Sequence, residues 1–493
     1  MSKVKASVVL TLLPLFVDGC GGSSPSGDGT SRGTGGTLPA SSNASGTATA
    51  GNFGASSPQS AATGGASTLP TSGTPVATGG ASRSSSSKTS TGGTLATSIS
   101  VSTGGTSVVG TGGQSSSASG TATGGKSSTT GGTATGGKPS SGGESSLGGS
   151  PHLPKFILGA DISSVDEAID TGSRFADTDG TVKPIFDILK NHGFNFIRLR
   201  TFVNPGEKYG YAYGTGGTCV KTETYCDTNH TVQFAKQVKA AGLGLLLDFH
   251  YSDTWTDPGN QIIPSAWRGA KSITELASYV RNYTVEVVSA LNTAGARPDI
   301  VQIGNETTPG MLMHIPSSTT DCWGNNVDPA PIGGSTSNWA NLGTLLKAGI
   351  EGVKSVDKTI KTMVHIENTK SASGVVNWVD NARKQGVTMD IVGLSCYVAF
   401  QGAPSVWQNT FNTLASTFSD LSFVIAEYNP ERTKAAEVMQ SLPNGRGLGT
   451  FIWEPTQSGE WGNAVFTWSG NTARANTSDF AEFETIAKNA GIK

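Results

Sequence analysis

Leu243-Gly244-Leu245-Leu246-Leu247-Asp248-Phe249-His250 is a short apolar run that ends in polar residues. Before it, residues 232–241 carry the apolar spacing of a helix, and Ala241-Gly242 supplies a helix stop. The same unit recurs on both sides. Runs of similar length lie at 156–161, 195–201, 299–306, 360–367, 390–397, 421–427 and 448–454. Helical patterns at 184–191, 273–293, 339–356, 375–385 and 405–418 separate most of them. Eight strands, each trailed by a helix, predict an α/β chain with a single (β/α)8 barrel. A doubly wound sheet is the alternative, but it needs fewer units, and no glycine-rich phosphate loop follows the first run.

The barrel occupies only part of the 493 residues. Between 21 and 150, 103 of 130 positions are Gly, Ser, Thr or Ala, and all nine Trp and nine Tyr lie beyond residue 150. Such a tract has too little apolar surface to offset the entropy of ordering. Thr-Gly-Gly recurs in it without a fixed period. It is expected to be a disordered low-complexity tether, 20–150, leading to a catalytic domain at 151–493. The first 19 residues read as an export signal, with Lys3 and Lys5 ahead of the apolar stretch 6–17. Val17-Asp18-Gly19-Cys20 resembles a bacterial lipobox, which would make Cys20 a lipidation site and anchor the protein at the cell surface. The other expectation is cleavage by an ordinary signal peptidase and secretion. Net charge is −2 with no basic run, which argues against a nucleic-acid partner. No apolar run is long enough to span a membrane, so membrane contact is expected only through the lipid.

Loop lengths then pick out the working face. Segments 204–228 and 307–338, after strands two and four, are long, whereas the helix-to-strand connections are short. Chemistry on such barrels sits at the strand C-terminal ends. Two acids close apolar runs there: Glu306 in Gln302-Ile303-Gly304-Asn305-Glu306 and Glu427 in Val424-Ile425-Ala426-Glu427. Strands four and seven face each other across the mouth. Two facing carboxyls, one protonated and one ionised, are what glycoside hydrolysis needs.

Asn305-Glu306 with Glu427 resembles the clan of retaining glycosidases built on this barrel. Longer stretches resemble glycoside hydrolase family 53, the endo-β-1,4-galactanases: Gly159-Ala160-Asp161-Ile162-Ser163, residues 197–205, Asp248-Phe249-His250-Tyr251-Ser252-Asp253-Thr254-Trp255, Gly310-Met311-Leu312 and Trp453-Glu454-Pro455. The resemblance implies retaining hydrolysis of β-1,4-galactan of plant pectin, with Glu306 as acid/base and Glu427 as nucleophile. Asn305 would hold the sugar 2-hydroxyl. Of Arg198 and Arg200, which alternate onto one strand face, Arg200 is expected to orient Glu427. His250, Asp253 and Trp255 would line the cleft, Tyr397 would hydrogen-bond Glu427, and Trp453 would underlie a sugar ring. His365 and Asn368 are further candidates. The chain departs from the family pattern at Tyr397-Val398, at Met313-His314 and in the tyrosine-bearing loop after strand two.

Besides Cys20, four cysteines remain. Pairing of Cys219 with Cys226 inside the strand-two loop and a free, buried Cys396 are one reading; four cysteines allow three connectivities. The six His show no zinc spacing, so no metal and no cofactor are expected. The expected partner is a polysaccharide, bound by a monomer. Alternatives are a same-clan endoglycanase acting on mannan or glucan, or a non-catalytic carbohydrate-binding surface lipoprotein.

Overall fold

The computed structural model describes residues 153–493, apart from 214–218 and 220. The export signal, Cys20 and the tether lie outside the described residues. Eight parallel strands close into a barrel. They are β1 (Ile157–Asp161), β2 (Phe196–Thr201), β3 (Gly244–Phe249), β4 (Ile300–Ile303), β5 (Lys361–Ile366), β6 (Ile391–Tyr397), β7 (Ser422–Asn429) and β8 (Gly447–Trp453). β8 pairs with β1 in register Asp161↔Trp453, which completes the ring. The helices that follow are α1 (Ile185–Asn191), α2 (Thr228–Ala240), α3 (Ile273–Thr293), α4 (Trp339–Val356), α5 (Ala372–Lys384), α6 (Pro404–Thr417), α7 (Arg432–Gln440) and α8 (Thr477–Ala490).

Alternation along the strands divides the core in two. Outward residues such as Leu158, Ile197, Leu245, Val301 and Val392 pack under the helices. Inward residues fill the barrel in layers. The lower layer is apolar: Ile157, Phe196, Leu246, Ile300, Met363, Ile391, Val424 and Phe451, all 0–1% exposed. Gly159 makes room for Phe451, whose ring occupies the space a Cβ would take. Burying side chains of this size contributes about 1.5–3 kcal/mol each. Two to four positions further along seven of the eight strands the inward residue turns polar: Asp161, Arg198, Asp248, Gln302, His365, Ser395 and Glu427. The apolar plug therefore supports a polar floor at the C-terminal mouth.

α7 and α8 complete the expected helix after every strand, although no helical pattern was singled out for them; α7 buries only Ala435, Ala436, Val438 and Met439, a narrow and weakly apolar stripe. The cysteine pairing differs from the sequence expectation. Cys219 is bonded to Cys322, not Cys226, with Cα atoms 6.1 Å apart. Cys226 is buried beneath the mouth, its Sγ 3.7 Å from the Ser163 carbonyl, and Cys396 is likewise free and buried. The disulfide joins the loops after β2 and β4.

Candidate active site

Glu427 lies within β7, not at its end, and its orientation depends on a bulge. Leu394 pairs with Ile425 but Ser395 pairs with Glu427, so β7 carries an extra residue there. Ala426 already points into the barrel; the bulge turns Glu427 inward as well instead of outward. β4 ends three residues before Glu306. The chain bends through Gly304 (φ +78°), and Glu306 itself sits at φ +45°. A non-glycine residue in the left-handed region is a local strain that surrounding structure must hold.

β6 binds both carboxyls. Ser395 Oγ is 2.6 Å from Glu306 Oε1, and the Tyr397 hydroxyl donates to Glu427 Oε2 at 2.9 Å. Ser395 and Tyr397 are two apart on one strand face, so one strand sets the spacing of the pair. Tyr397 stands where the sequence expectation put it.

The arginine assignment is corrected. Arg198, not Arg200, meets Glu427, with Nη2 2.9 Å from Oε1. Arg198 is fully buried in the polar floor. It also binds Asp161 and Asp248 at 2.8 Å each and donates to Asn305 Oδ1 at 2.9 Å. Arg200, one inward step nearer the rim, pairs with Glu454 at 2.6 Å and lies 4.3 Å under the Trp255 ring. Proximity to the rim was the wrong guide, because the bulge sets Glu427 within the polar floor, on the level of Arg198.

Asn305 is held at both ends of its amide. Its Nδ2 donates to the Thr256 carbonyl at 2.8 Å, which defines the amide orientation, and Oδ1 accepts from Arg198. His365 Nδ1 lies 2.9 Å from that same Oδ1, so Nδ1 carries a proton. Burial, and then Arg198, hold the His365 pKa well below 6.5, which makes the ring neutral. Its Nε2 must accept, and the neighbour at 2.9 Å is Ser395 Oγ. Ser395 thus links His365 to Glu306.

His250 and Asp253 do not line an open cleft; both are 2% exposed. His250 Nδ1 accepts from Thr256 N and lies under Trp255. Asp253 accepts from Asn204 N at 3.0 Å and Ser265 N at 2.7 Å, pinning the loops after β2 and β3 together. Trp255 and Trp453 meet edge to face in the mouth, 6.1 Å between centroids. Asp161, Asp248, Gln302, Ser395 and Glu454 escaped the sequence reading of the site. Strand alternation outward from Arg198 and His365 was the available signal.

Burial, then the charge of Glu427, push the Glu306 carboxyl well above 4.5, against the pull of Ser395. Burial raises Glu427 too, to about 7, although Arg198 and Tyr397 oppose it. Glu427 shares its one guanidinium with Asp161 and Asp248, so Arg198 only partly offsets its burial. Glu306, which has no cation, is the stronger proton holder of the two. Among the described residues no group of three or more His, Cys, Asp or Glu is arranged to hold a metal ion, and no helix is long and apolar enough to cross a membrane.

A closed (β/α)8 barrel with two glutamates of unequal acidity at its mouth has the arrangement that glycoside hydrolases use. The model for glycosyl hydrolase family 53 matches residues 157–437, more than half the chain. The protein belongs to that family. An arabinogalactan endo-β-1,4-galactanase of Thermothelomyces thermophilus is 30% identical over 332 residues, 60% of this chain and 88% of that one. An endo-β-1,4-galactanase of Bacillus subtilis is 27% identical, covering 61% of this chain and 70% of the other. Among solved structures, the Ignisphaera aggregans GH53 catalytic domain is 30% identical with a TM-score of 0.54, covering 69% of this chain and 99% of that chain. A fungal β-1,4-galactanase is 27% identical with a TM-score of 0.55, covering 68% and 100%.

Proposed function

We propose that the protein is an endo-hydrolase of β-1,4-galactan, the substrate class of pectic side chains, acting by double displacement with retention. The observation that carries this is the unequal carboxyl pair tied to β6. Glu427, beside Arg198 and Tyr397, is the one that ionises first and attacks the anomeric carbon. Glu306 holds the proton and gives it to the departing glycosidic oxygen, then takes a proton from the water that opens the glycosyl-enzyme.

Ser395 serves both halves of that cycle. When Glu306 is protonated, its hydroxyl donates to Ser395 Oγ, which donates to neutral His365 Nε2. When Glu306 is ionised, the Ser395 hydrogen turns to the carboxylate, a charge-assisted bond. One of the two Asn305 Nδ2 hydrogens is committed to Thr256, and the other is free for a sugar hydroxyl. Trp255 and Trp453 offer apolar faces for the C–H face of galactose.

Export and anchoring through Cys20, with 20–150 as a spacer and the catalytic domain acting as a monomer, complete the proposal. Cys20→Ala is expected to move the protein out of the membrane fraction. Reducing-end release from galactan, mannan, xylan and glucan tests the substrate: galactan is expected to dominate. Dominant release from mannan or glucan would replace this reading with the same-clan alternative. Binding without release from any polymer would leave a lectin.

A further inference from the structure

The loop after β4 carries an aromatic ring that the catalytic pair does not use. Its base is built into the wall after β3: His314 N donates to the Gln261 carbonyl at 2.9 Å, and Ile263 N donates to the His314 carbonyl at 2.8 Å. Its tip is held two further ways, and a glycine admits the close approach. Cys322 is disulfide-bonded to Cys219 in the loop after β2. Thr254 Oγ1 donates to the Cys322 carbonyl. Gly324, at φ +84°, lets the chain pass close to the Trp255 carbonyl. These ties present Trp323 beside Trp255 with ring centroids 6.3 Å apart and planes 20° from parallel. Trp255 continues the row inward to Arg200 and Trp453. Trp323 is nevertheless 44% exposed.

A large indole left in water on a tip clamped by a cross-link has a face prepared for something. Rigid presentation lowers the ordering cost of binding. The partner such a face suits is a pyranose C–H face. We infer that Trp323 is a sugar-binding platform for a galactose unit of the chain beyond the cleavage point, on the Trp255 side, and that the Cys219–Cys322 disulfide holds it there. This rests on the galactanase reading above.

The test compares the full-length wild type with Trp323→Ala, Trp323→Phe and the double variant Cys219→Ser/Cys322→Ser, on linear β-1,4-galactan and on galactotriose. Trp323→Ala is expected to lose roughly five- to tenfold in kcat/KM on galactan, through KM, and roughly twofold or less on the trisaccharide. Trp323→Phe should recover most of the loss. The double serine variant should share the long-chain defect. Equal losses on long and short substrates, or no loss on galactan, would overturn the platform. A double serine variant with wild-type KM would overturn the role of the disulfide. Wild-type turnover of galactan reports on the galactanase reading itself, and only the ratio of variant to wild type reports on Trp323. Retention in galactan-containing gels of Glu427→Ala and of Glu427→Ala/Trp323→Ala gives a second readout without turnover, with the double variant expected to migrate faster. Equal migration would count against the platform.

Discussion

Ser395 has one hydroxyl hydrogen and two neighbours that want it, His365 Nε2 at 2.9 Å and Glu306 Oε1 at 2.6 Å. Removing the hydroxyl takes away the hydrogen bond that favours ionised Glu306, so the Glu306 pKa rises further. In the wild type, kcat/KM should climb with pH as Glu427 ionises, above the ordinary glutamate value of 4.5, and fall where Glu306 loses its proton. In Ser395→Ala the basic limb should move to higher pH. Glycosylation, in which Glu306 gives up its proton and becomes the ion that Ser395 stabilises, should slow by roughly tenfold, the worth of a charge-assisted hydrogen bond of about 1.5 kcal/mol. A simple fall in rate with an unmoved basic limb would mean that Ser395 only fills space. The same residue scale yields a stability test. The folded Glu306 pKa lies above the unfolded value of 4.5. Stability is therefore full below pH 4.5, where the group is protonated in both states, and is lost as pH rises towards the folded value. Glu306→Gln removes that loss. It should raise Tm at neutral pH and leave it unchanged in acid, as read by thermal denaturation at both pH values.

At the scale of elements, what the sequence reveals depends on whether a residue's task is local. Strand cores and most helices follow from short-range pattern, and each of the eight barrel strands falls within one to three residues of its expected bounds. The acids Glu306 and Glu427 were legible because strand position alone places them near the mouth, whereas Tyr397 was named through the family resemblance. The β7 bulge was not legible, since it exists only against β6 in register. That hidden residue is why Arg198 and not Arg200 meets Glu427. The roles of Asp253 and Cys219 also depend on loops distant in sequence: Asp253 binds Asn204 and Ser265, and Cys219 binds Cys322. Asp253→Ala should leave two loop N–H donors without their acceptor, destabilising the domain by about 2–4 kcal/mol. Thermal denaturation should show the lower stability, and KM should rise more than kcat falls because the mouth, not the carboxyl pair, is what loosens. A kcat loss with KM intact would place Asp253 in the chemistry instead.

Over the whole molecule, the barrel separates tasks by depth. The apolar layer from Ile157 to Phe451 closes the bottom, and above it Arg198 gathers Asp161, Asp248 and Asn305 into a dry, charged floor. That floor sets Arg198 against Glu427 and, among the described residues, leaves Glu306 without a cation, which keeps the two carboxyls on unequal terms. The central consequence of the proposed double displacement is retention: with Glu427 as the attacking group, the anomeric carbon is inverted twice. Proton NMR of the first reducing ends released from β-1,4-galactan measures this directly, before mutarotation. The β anomer should appear first and the α anomer only later, at the rate of mutarotation. Initial release of the α anomer would contradict the assignment of Glu427 as nucleophile, even if galactan is cleaved.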